Sequence, residues 1–209
     1  MLYCKKPDSQ IRRIKPQFVT LIVLLSILLL PVTAIQAAGI QIKSVNLTAV
    51  EKGYEISMDS EITLNDTLEQ ALEKGIVLHF VTKFSLFDAR WYKLNDEVAR
   101  SKFVVGLRYY ALTRPYHLNH PVFSQSYYSL NEALQALGRI RDLPLTVKSE
   151  LKPDADYVAS VRVWLDLTRM PKPFQVETIG SSQWDLSSDK LEWHMKLPTP
   201  EEPVQIKGP

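Results

Sequence analysis

The sequence predicts an antiparallel β-sandwich, immunoglobulin-like in layout, with two short helices and an N-terminal signal or anchor helix before it. Three observations predict this. From Ile40 onward, seven or eight stretches alternate apolar and polar residues at hairpin spacing. The two helical patterns stand singly between strands rather than one after each strand, which argues against a parallel α/β sheet. Residues Phe18 to Leu30 form an uncharged apolar run behind a basic segment.

That run sets the compartment. Lys5, Lys6, Arg12, Arg13 and Lys15 precede it against a single Asp8, and Pro31, Thr33, Ala34, Ala37 and Ala38 follow. Basic, apolar, then small is the order of a secretory signal peptide. Thirteen helical residues cover about 20 Å, short of the roughly 30 Å hydrocarbon core. Counting on to Ile35 lengthens the stretch to eighteen mostly apolar residues, so an uncleaved anchor stays open. Cleavage fits after Ala34 or after Ala37. The expected organisation is a leader or membrane anchor over 1–38, a sandwich domain over 39–197 and a disordered, proline-rich tail over 198–209. The expected location is the periplasm, with anchoring to the inner membrane if the leader is kept.

Charge and cysteine content narrow the function. The leader carries +4 of a whole-chain charge of +2, leaving the exported part at −2. A nucleic-acid surface needs a basic domain, so none is expected. Cys4, the one cysteine, lies before the apolar run, which leaves no exported thiol for disulfides, thiolate metal sites or catalysis, and no lipid attachment site after the run.

Taken in order, Ile40 to Val50 and Tyr54 to Leu64 read as a hairpin around Glu51-Lys52-Gly53. Tyr54, Ile56, Met58, Ile62 and Leu64 share one face, with Ser60 the polar exception. Asn65 or Asp66 caps a helix over Thr67 to Lys74, stopped by Gly75. Ile76, Leu78, Phe80, Phe84 and Leu86 alternate along the next strand. A long strand from Val98 to Leu112 turns Phe103, Val105, Leu107 and Tyr109 inward. Pro115 and Pro121 cut the following stretch into short edge pieces. Ser129 and Glu132 make a capping box for a helix running to Asp142, whose stripe is Leu130, Leu134, Leu137 and Arg141. Tyr157 to Thr168 is the most regular strand, and a last hairpin from Trp184 to Leu197 turns at Ser187-Ser188-Asp189-Lys190.

Four strings resemble one bacterial family of exported proteins of unknown function, DUF4390. They are Ala111-Leu112-Thr113-Arg114-Pro115-Tyr116, Ala136-Leu137-Gly138-Arg139-Ile140-Arg141, Met170-Pro171-Lys172-Pro173-Phe174-Gln175-Val176, and Trp184-Asp185-Leu186-Ser187-Ser188 with Trp193. The resemblance spans nearly all of the exported part. It implies a membrane-associated or periplasmic protein, sometimes encoded beside a nitrogen-regulation-type sensor kinase, and it carries over no catalytic residue.

Site chemistry is sparse. His117 and His120 form H-x-x-H between two prolines, a spacing that chelates from a helix, which Pro115 and Pro121 disfavour; no third ligand is apparent. Gly180-Ser181-Ser182 lacks the second glycine of a nucleophile elbow. Asp154 and Asp156 beside Pro153 read as a turn. No catalytic residue, cofactor or metal is therefore expected. Arg90, Lys93, Arg100, Lys102, Arg108 and Arg114 are interleaved with Trp91, Tyr92, Phe103, Tyr109 and Tyr110, which suits a contact surface or a solvated strand face. Strand alternation turns Arg108 and Tyr110, and likewise Arg162 and Trp164, away from the core. Those four are the expected partner surface, because Arg, Trp and Tyr recur at binding hot spots. The functional expectation is a non-enzymatic envelope binding or accessory domain with a protein partner. The alternatives are a periplasmic hydrolase with a dispersed triad, or a structural component held by an uncleaved leader.

Overall fold

The computed structural model describes residues 38–90, 96–178, 182–199 and 204–208. The expected leader and the aromatic pair Trp91 and Tyr92 lie outside them. Two strands, β1 (Gly39–Val50) and β2 (Gly53–Thr63), form the first hairpin, and Gly53 supplies the turn with φ 133°. Helix α1 (Asp66–Glu73) follows, capped by Asn65, whose Oδ1 accepts the Leu68 N–H at 2.9 Å. Then come β3 (Leu78–Asp88), β4 (Glu97–Tyr109), β5 (Tyr116–His120) and β6 (Phe123–Tyr127). Helix α2 (Leu130–Gly138) leads directly into β7 (Arg139–Pro144) and the two-residue β8 (Thr146–Val147). The last elements are β9 (Tyr157–Leu165), α3 (Lys172–Thr178), β10 (Leu191–Met195) and β11 (Val204–Lys207).

These strands make two antiparallel sheets, in the order β11-β1-β2-β7 and β10-β9-β3-β4-β5-β6, with β8 also paired to β4. The chain is thus mainly β and sandwich-like, as its alternation predicts. One core cluster joins Val45, Leu47 and Met58 of the smaller sheet to Phe84, Leu86, Leu107, Val161 and Val163 of the larger. On β9 every predicted inward residue from Tyr157 to Leu165 is buried.

Ser60 proves to be a helix dock. Its Oγ donates to the Gly138 carbonyl at 3.2 Å, where the end of α2 meets β2. A Cβ on residue 138 would stand 2.0 Å from the Ser60 carbonyl oxygen, so only glycine permits this approach. The same contact ends α2 at Gly138 instead of Asp142. Arg141 consequently leaves the helical stripe and sits on β7, donating to Asp59 Oδ1 at 2.6 Å.

Other expectations move by a few residues. β4 stops at Tyr109 rather than Leu112, because the Tyr110 N–H turns to the Pro115 carbonyl and Arg114 takes φ 61°. A third helix, α3, which the alternation does not predict, begins within Pro171-Lys172-Pro173; proline tolerates a helix's first turn. The final hairpin is not one. Trp184 closes a 3-10 turn, Ser187 bridges to Trp164, and β10 pairs with β9. Four residues within the expected disordered tail form β11, in register with β1 from Ser44 to Leu47.

Candidate functional site on the outer sheet face

The larger sheet turns one face to the core and the other outward. Its pairing register fixes what the outer face carries. Lys83, the only charge between Ile76 and Phe87, stands opposite Arg162 on β9 and opposite Lys102 on β4. Three cations therefore lie abreast across three strands. Like charges in opposed positions repel and destabilise a sheet unless something neutralises them.

Glu97 neutralises the middle one. Its carboxylate accepts from Lys83 Nζ at 3.1 Å and Ser85 Oγ at 3.2 Å, pairs with Lys148, and has Arg100 at 4.0 Å. Burial alone would raise its pKa. Hydrogen bonds from Lys148, Lys83 and Ser85, with the charge of Lys83, outweigh that and hold it at about 2. Arg162 and Lys102 have no carboxylate partner among the described residues. Arg162 donates only to Ser187 Oγ, at 3.3 Å.

Beside Arg162 the face is concave. A depression of about 470 Å³ is lined by Lys83, Ser160, Arg162, Trp164, Asp185 and Ser187 among others. Trp164 belongs to the row that runs through Val81 to Val104, and Val81 is buried.

The four residues expected to form a partner surface do not form one patch. Arg108, Arg162 and Trp164 share the outer face, as alternation requires, but Tyr110 lies just past the end of β4. Four residues along and two strands across separate Arg108 from Trp164, roughly 17 Å at standard strand spacings. Arg108 instead lies over the Tyr110 ring, 4.8 Å from its centroid, and that ring meets His117 edge-on at 4.6 Å. The expected site thus divides into an Arg108–Tyr110 end and an Arg162–Trp164 concavity. Sequence reasoning missed Lys83 and Ser160, and placed Lys102 only within the broader basic and aromatic stretch; a lone lysine in an apolar strand was the one available signal for Lys83.

The H-x-x-H histidines cannot share an ion from β5. Residues three apart on a strand point to opposite faces. His117 faces outward, with Nδ1 3.2 Å from Ser126 Oγ, whereas His120 stacks inward on Phe103 and Phe123 at 4.5 and 5.1 Å. Burial lowers the His120 pKa. Among the described residues no group of three potential metal-ligating side chains comes together. Ser181 lies outside the described residues. A second cavity, of about 370 Å³, opens between the β5–β6 hairpin and the α2–β7 segment, with Phe103, Leu118, His120, Phe123 and Leu137 in its wall.

Against known families, residues 37–194 match the model described as a domain of unknown function, DUF4390. The chain belongs to this family. No curated protein and no solved structure matches it. The matched span covers every strand except the tail strand β11 and ends within β10. The family's description assigns no activity, so function rests on the face just described.

Proposed function

We propose that this family member is a non-enzymatic binding or accessory domain of the bacterial envelope, periplasmic or membrane-associated, that acts through protein contacts. The supporting observation is the outer face of the larger sheet, where Lys102, Lys83 and Arg162 lie abreast with Trp164 in the next row, and where Arg108 lies over Tyr110 at the far end of β4. Arginine with exposed aromatic side chains is the composition of interface hot spots. Among the described residues helix α2 packs on β2, β5, β6 and β7, at the sandwich edge.

The test is photo-crosslinking in intact envelopes. A benzoylphenylalanine replaces Tyr110 or Trp164 on the face, or Glu61 on the smaller sheet as control. The expected result is a discrete protein adduct from the first two positions and none from the third. Equal adducts from all three, or none at all, would refute the reading.

A further inference from the structure

We infer that the concavity beside Arg162, with Lys102 across β3, is an anchor for an acidic, extended peptide segment of the partner. This rests on the protein-contact reading and names the partner's chemistry. Two side chains of the site define the ligand. Ser160 is 6% exposed, lines the concavity, and its hydroxyl has no hydrogen-bond partner among the described residues. A ligand oxygen seated in the concavity would accept from this hydroxyl. Arg162 presents a guanidinium whose only hydrogen-bond partner there is the Ser187 hydroxyl. Its planar fork matches a carboxylate through two parallel bonds.

Charge selects the class of anion. Lys83 is held by Glu97 and Lys190 by Glu192 at 2.5 Å, while Asp185 borders the same space. Arg162 is therefore the one lining cation without a carboxylate partner among the described residues, and the Asp185 carboxylate in the same lining disfavours a phosphate dianion. The second uncompensated cation, Lys102, stands two strands away, roughly 10 Å. An acidic peptide laid across β9, β3 and β4 offers carboxylates at that separation, and Trp164 gives an apolar wall for an adjoining side chain. The exposed apolar residues Leu112, Val122 and Tyr128 belong to the β4–β5 connection and the ends of the β5–β6 hairpin, which disfavours a lipid surface at this site.

The test titrates the full chain in detergent with an acetylated, amidated (Glu-Ala)6 peptide, following the ¹⁵N signals of the Trp164 indole and Arg162 Nε. Saturable shifts that weaken with added salt are expected. R162Q should weaken binding about tenfold and K102Q about threefold, with R162K failing to restore the wild-type value. Both side chains are exposed, so thermal melts should confirm that these variants remain folded. Acetate or inorganic phosphate saturating the same signals at equal concentration would replace the peptide anchor with a small-anion site. Binding to phosphatidylglycerol vesicles with no peptide response would replace it with a membrane surface. R162Q binding like the wild type would overturn it outright. Failure here with crosslinks from Tyr110 intact would leave the contact reading standing; loss of those crosslinks as well would remove both.

Discussion

Gly138 carries a constraint that no other residue type can meet, because a Cβ there would collide with the backbone of β2. Gly138→Ala should cost about 2–4 kcal/mol, through displacement of the α2–β7 junction, as read by chemical denaturation. A change under 0.5 kcal/mol would show that the junction relaxes freely. Two titrating groups make stability depend on pH in separate windows. His79 has its pKa lowered by burial and by Arg169, with Asp166 acting in the opposite sense, and its Nδ1 is buried without a partner. Such a group stays neutral in the fold while the unfolded chain protonates near pH 6.5, so stability should fall as pH drops below that value. Glu97 acts lower: its pKa of about 2 means its stabilisation is full above about pH 4.5 and disappears on acidification towards pH 2. Melting temperatures across pH 7.5 to 2 should show both losses, with Glu97→Gln removing the second. A melting temperature that rises on acidification would contradict these assignments.

At the scale of elements, the cation row explains why β4 opens with a glutamate. Glu97→Gln would leave Lys83, Lys102 and Arg162 abreast without their counter-charge. The expected cost is about 1–3 kcal/mol at low ionic strength, partly recovered by salt, whereas a loss insensitive to salt would point to packing instead. Core positions should behave otherwise. Val163→Ala and Leu137→Ala, both buried, should cost roughly 1–3 and 2–4 kcal/mol at any salt concentration. The strands were legible because alternation survives burial: each predicted inward residue of β9 from Tyr157 to Leu165, and of β3 from Leu78 to Leu86, faces the core. Strand and helix ends were less legible, because they depend on distant partners. Residues 139–142 continue a helical pattern, yet Ser60 and Asp59 draw them into β7. The candidate face was half legible. Alternation places Arg108, Arg162 and Trp164 on one side, but only register sets Arg162 and Lys102 beside Lys83, and register depends on pairings that a single strand's sequence does not encode.

At the scale of the molecule, the two sheets close one core, and the larger turns its other face outward. Cleavage after Ala34 or Ala37 would spare all of β1, which starts at Gly39. A mature chain beginning between Ile35 and Gly39, seen by intact-mass measurement, is therefore the expected form if the leader is a signal peptide. Retention of Phe18 to Leu30 would favour the anchored form. The central claim is that this outward face makes contacts rather than holding the fold together. Its most direct measurement combines Arg108→Ala with Trp164→Ala in a chain carrying the photo-crosslinker at Tyr110, and records both unfolding free energy and adduct yield. The prediction is cooperative unfolding within about 2 kcal/mol of the parent, since Trp164 is half-buried, together with loss of the adduct. An undiminished adduct, or a loss of more than about 4 kcal/mol, would contradict it.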